Sequence, residues 1–256
     1  MKGFEINTPK SELDKMPEAE RTLFLLLGHL ANELSILKKL FFFCGHSEAE
    51  EKWRRRANNA QALVMARVLI GKLWEGWELL QRYFFGNTLS KIYQPLLEVE
   101  EQKALSNLKK YFGKDNLIKN VRNSFSFHYS GEVIAKAFET TPENETDEWQ
   151  MCQTDNVGNS LFFSSELVIN HALLEIILPG QPQEAMDRLF EESTKVAGWF
   201  IDVISGCMTI IAERHFLDED GGLEMVAVDI GPVQAMDDVR VPFFVSAPKA
   251  KNDGSI

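Results

Sequence analysis

Between Glu18 and Phe43 the apolar residues Leu23, Leu26, Leu27, Leu30, Leu34, Leu37 and Phe41 return at steps of three and four. That rhythm puts them on one face of an α-helix, whereas a strand would alternate them across its two faces. Pro17 stands where a helix tolerates proline best, at the first turn, and Gly45 supplies the stop. A second run follows at once. Ser47 with Glu50 reads as a capping box, and Leu63, Ala66, Leu69, Ile70, Leu73 and Trp77 carry the rhythm through a helix from Glu48 to Phe85, closed by Gly86-Asn87. Two long helices joined by a short loop pack antiparallel.

The rest of the chain is punctuated in the same way. After a linker holding Pro95, residues 96–112 read as a third helix, ended by Gly113. Asp115 or Asn116 caps a fourth, which carries Leu117, Ile118, Val121 and Phe125 on one side, and Thr141-Pro142 ends the helical region. Residues 143–165 form a polar excursion with a short hairpin around Asn156–Asn159. Helices resume at Ser165–Leu178, break at Pro179-Gly180 and resume from Gln183 to His215. The expected fold is therefore all-α: a helical bundle with a short irregular or β excursion near 145–165. Residues 1–16 are expected to be a flexible N-terminus, 17–215 a single helical domain, and 216–256 an extended tail packed on the bundle. Val226, Val228, Ile230, Val239, Val241, Phe243 and Phe244 suit that tail to one or two short strands or to an arm.

Three cysteines with no CxxC pair argue against a disulfide framework and against a zinc site. The longest apolar run, Val196–Ala212, holds Asp202 and Ser205 and falls short of the roughly 20 residues of a membrane span. It reads as a buried core helix, in which Asp202 needs a partner such as Arg214, Arg188 or a histidine. No basic-then-apolar leader occupies Met1–Lys10, so a cytoplasmic protein is expected. The net charge of −11 hides an asymmetry. Residues 1–136 hold 21 Lys and Arg against 16 Asp and Glu, and residues 137–256 hold 6 against 22. The first part is thus mildly basic, at +5, and the second acidic, at −16.

At the end of that basic part stands Arg122-Asn123-Ser124-Phe125-Ser126-Phe127-His128, flanked by Lys119 and Tyr129. Arginine offers a planar fork of donors that fits a phosphate, and histidine trades protons near neutral pH. On an ideal helix, positions six apart point about 120° away from each other. Either the helix loosens within Ser124–Phe127, where helix propensity is poor, or the two side chains reach round into one cleft. The alternation of Phe125, Phe127 and Tyr129 with serines and His128 also allows a strand.

This run resembles the R-x4-6-H signature of the HEPN superfamily, all-helical domains of which many are ribonucleases. Asn123 matches the polar residue that usually follows the arginine there. The resemblance implies a homodimer with two motifs in one cleft. It also implies RNA cleavage through the 2′-hydroxyl, without metal or other cofactor, and, in toxin or defence systems, a cognate inhibitor protein. Two His128 rings would act as base and acid, Arg122 would stabilise the phosphorane, and Asn123 would orient His128 or a phosphate oxygen. Lys119, Tyr129, Arg54 and Arg55 are candidate substrate contacts, and Arg56 continues the same basic run. The rival reading is a non-catalytic helical dimer that binds a ligand or a protein partner. His29/Glu33 and His171/Glu175, each four apart, suggest a metal between helices or, more simply, hydrogen-bonded core histidines.

Overall fold

The computed structural model describes residues 1–45, 51–126, 131–142, 149–217 and 225–246. It is mostly helical. Two long helices, α2 (Glu18–Gly45) and α3 (Lys52–Leu79), follow a short N-terminal helix α1 (Lys10–Lys15). Leu30 packs on Gly76 and Glu33 pairs with Lys72 at 2.7 Å, so the numbering rises along one helix as it falls along the other: the pair is antiparallel. α3 begins at Lys52, later than the expected Glu48, and the Ser47/Glu50 box lies outside the described residues. A π-wound turn, Leu80–Phe85, completes α3.

A short α4 (Leu89–Tyr93) and a 3-10 turn lead into α5 (Val99–Phe112). α5 starts with a reciprocal cap: the Glu98 side chain accepts from the backbone N–H of Glu101, and the Glu101 carboxylate accepts from that of Glu98. α6 (Leu117–Val121) is capped by Asn116, whose side chain accepts from Lys119 N at 2.9 Å. It then passes into a π-wound turn, Arg122–Ser126. After α7 (Gly131–Thr140), the excursion closes on itself by an antiparallel bridge between Cys152 and Leu161 around a 3-10 turn, Val157–Asn159. α8 (Phe163–Ile177) and α9 (Pro182–His215) complete the bundle.

α9 is its spine. Leu189, Val196, Phe200, Val203, Ile204, Cys207 and Ile211 form a buried stripe, which α2, α3, α5 and α8 cover. Where three of these helices meet, Phe112 stacks on Trp77 with centroids 4.9 Å apart and planes 9° from parallel, and Phe200 meets Phe112 edge-on. Truncating a ring as buried as Phe200 costs about 3–5 kcal/mol in such cores. α9 is also long and apolar enough to cross a membrane by length and composition, with half of its most apolar window buried in the bundle. Asp202, expected to need a partner in a fully buried helix, instead lies on the exposed side of α9, where water solvates it.

The N-terminal residues are more structured than their polarity suggests. β1 (Lys2–Ile6) pairs antiparallel with β2 (Met225–Asp229) from the tail, Phe4 opposite Ala227. Within the bundle, the buried Glu20 at the start of α2 meets His215 Nε2 at 2.5 Å and Arg214 at 3.5 Å at the end of α9. The Tyr93 hydroxyl faces the same carboxylate at a looser geometry. Burial alone would raise the Glu20 pKa; these partners outweigh it and hold the carboxyl below its ordinary value.

Candidate functional site

The Arg122 turn is set by packing on α3. Leu117, Ile118 and Val121 are buried and anchor α6, while the π winding that follows adds one residue to the turn and carries Arg122 out against Trp74 and Glu75. Such π turns within helices are frequent at functional sites. The Arg122 guanidinium carbon lies 6.0 Å from the Trp74 ring centre, Nη1 donates to Asn123 Oδ1 at 3.3 Å, and Nη2 lies 3.7 Å from Glu75 Oε1. Nε is shielded from solvent and has no hydrogen-bond partner among the described residues. With Glu75 half exposed and the pair this long, the ion pair contributes under about 1 kcal/mol. A phosphate arriving at the fork would compete well with it.

Asn123 and Lys119 are exposed on the same short segment, and Arg122 itself keeps 30% of its side chain open. His128 and Tyr129 lie outside the described residues, so the geometry from arginine to histidine is not part of this site. The described part of the motif is helical and π-wound, which removes the strand alternative for Arg122–Ser126. Arg54 and Arg55 are not brought to this place. They stand near the start of α3, about 30 Å of helix rise from Glu75, and Arg54 is engaged by Glu51 at 2.8 Å. Arg56, the last of that basic run, faces inward: its guanidinium sits 4.4 Å above the Phe163 ring, with Gln150 at 3.4 Å. It anchors the excursion to α3 and is closed to a polyanion.

Trp74 and Glu75 are the residues that sequence reasoning left out of the site. They lie 48 and 47 positions before Arg122, and no spacing rule links them to it. The two His–Glu pairs also resolve differently from a core role. His29 has a largely exposed side chain 3.6 Å from Glu33, which is also held by Lys72. His171 Nε2 lies 3.2 Å from Thr140 Oγ1, across the groove between α7 and α8, and Glu175 Oε1 accepts from Gly180 N at 2.9 Å. Among the described residues no three His, Cys, Asp or Glu side chains gather as metal ligands would.

No family model matches this chain, no curated protein matches it, and no solved structure matches it.

Proposed function

We propose that the Arg122 turn is the phosphate-binding half of a metal-independent endoribonuclease of the HEPN toxin or defence type, completed by His128 and by a second copy of the chain. The observation that carries this reading is the pairing of Arg122 with Asn123 on a π-wound turn, the arginine side chain 30% open and weakly held by Glu75. Arg122 would bind the scissile phosphate and stabilise the charge of the phosphorane. One His128 would take the 2′-hydroxyl proton and the other protonate the departing 5′-oxygen. The products are a 2′,3′-cyclic phosphate and a 5′-hydroxyl. Lys119 extends the contact along the backbone; Arg54 and Arg55 would serve it only at a distance, on RNA that follows α3.

The test is cleavage of labelled tRNA and mRNA in EDTA by the wild type, His128→Ala and Arg122→Ala, each checked for fold by circular dichroism. Cleavage that ends in cyclic phosphates and is lost in both variants supports the reading; a folded, dimeric wild type that leaves every RNA intact counts against it. The second reading is a non-catalytic helical dimer that binds a ligand or a protein partner. The groove between α7 and α8 favours it, and on that reading Glu75 and Trp74 hold Arg122 for packing alone.

A further inference from the structure

The groove between α7 and α8 is a hollow of about 450 Å³, within the range of small-molecule sites. Its floor is apolar: Val133, Ala137, Ala172 and Ile176. Polar groups stand on its two sides, and their chemistry is not alike. On α7 is the ammonium of Lys136. On α8, one turn apart and on one face, are His171 and Glu175.

The hydrogen bonds sort these groups into donors and acceptors. The Thr140 hydroxyl donates to the backbone carbonyls of Lys136 and Ala137, at 3.3 and 3.2 Å. With its proton so placed, it meets His171 as an acceptor, in the tautomer that carries the proton on Nε2. In the neutral ring this leaves Nδ1 as an acceptor. Glu175 is likewise held, with Oε1 taking the N–H of Gly180 just past the end of α8, which leaves Oε2 for a ligand. The α8 side thus offers acceptors and negative charge, the α7 side a cation, and the floor an apolar surface.

We propose that this groove binds a free α-amino acid with an apolar side chain. Its ammonium would lie toward Glu175 and His171, its carboxylate toward Lys136, and its side chain on Ala137, Ala172 and Ile176. A zwitterion matches both charged sides at once, whereas a ligand with a single charge leaves one of them unanswered and partly desolvated. None of these residues takes part in the Arg122 turn, so the proposal stands apart from RNA cleavage.

Calorimetric titration of the full chain with L-leucine and L-phenylalanine tests it, beside 4-methylpentanoate, which lacks the ammonium, and isoamylamine, which lacks the carboxylate. Saturable binding of either amino acid is expected, at least tenfold tighter than either leucine analogue. Glu175→Gln should weaken the amino acids tenfold or more and leave 4-methylpentanoate as it was. Lys136→Met should do the same and leave isoamylamine as it was. Lys136 is exposed, so its replacement leaves the core intact. The proposal is overturned if neither amino acid binds the folded wild type, if a single-charge analogue binds as well, or if both variants bind as the wild type does.

Discussion

The carboxylate of Glu101 occupies the space that a β-carbon at Gly206 would fill, closer than van der Waals contact allows. Glu101 cannot simply swing away, because the same carboxylate closes the reciprocal cap on the Glu98 N–H at 2.8 Å. Glycine at 206 is what lets the start of α5 rest directly on α9. Gly206→Ala should displace Glu101 and open the cap, at a cost of about 1–2 kcal/mol. Gly198, two turns earlier on α9, has nothing within 4 Å of its β position. Gly198→Ala should therefore stabilise the helix by about 0.5–1 kcal/mol. Urea unfolding of the pair would show shifts of opposite sign; equal signs would remove the role given to Glu101.

Glu20 makes stability depend on acid. Its carboxyl, held below the ordinary value, binds protons more weakly in the folded chain than in the unfolded one. The resulting stabilisation is complete above the ordinary carboxylate range and fades as the pH falls through the folded value beneath it. Glu20→Gln should cost about 1–3 kcal/mol at neutral pH. The gap to the wild type should narrow in melts at acid pH, and a gap that stays constant with pH would assign the loss to packing.

The cysteines should separate by reactivity. Burial pushes the Cys207 thiol up to about 12, with the charge of Glu101 adding to it, and burial also raises that of Cys44. Since the thiolate is the reactive form, neither should label in the native state near pH 8. Cys152, half-buried in the excursion, should react first. A thiol titration is expected to find at most one accessible group before denaturant and three after.

On the ribonuclease reading, Glu75 competes with RNA for Arg122. Glu75→Gln should tighten RNA binding about two- to fivefold, the worth of one exposed ion pair. Arg122→Ala should weaken it and flatten its salt dependence by about one phosphate contact. Filter binding with the His128→Ala background separates affinity from cleavage. An unchanged affinity in Glu75→Gln would make the pair a packing contact.

How much of this was legible beforehand follows from how local each determinant is. α2, α3, α8 and α9 were readable within a few residues, since each carries its own apolar period and stop. The Asn116 cap was readable for the same reason. β1 was not: Lys-Gly-Phe-Glu-Ile has too little pattern to announce a strand, and its partner stands at the far end of the chain. Arg56 reads from the sequence as one more member of a basic run, yet Trp53 and Phe163 offer it ring faces across two elements. Arg122 could be singled out from its neighbours in sequence, but the contacts that hold it, Trp74 and Glu75, are set by how α6 lies on α3. Asp202 sits in an apolar run and still faces water, because a helix crowded on one side keeps another open.

The pairing of β1 with β2 has a bearing on the order in which the molecule assembles. Met1 and Gly231, 230 positions apart, are joined through the N-terminal ammonium at 3.1 Å. Searching for that contact from an open coil would be the slowest closure in the chain. The Glu20–His215 contact already spans 195 positions, and once α2 and α9 have docked, only the short arms beyond them remain to close. The ribbon should thus zip last and fray first, its amides exchanging with solvent well ahead of those of α9.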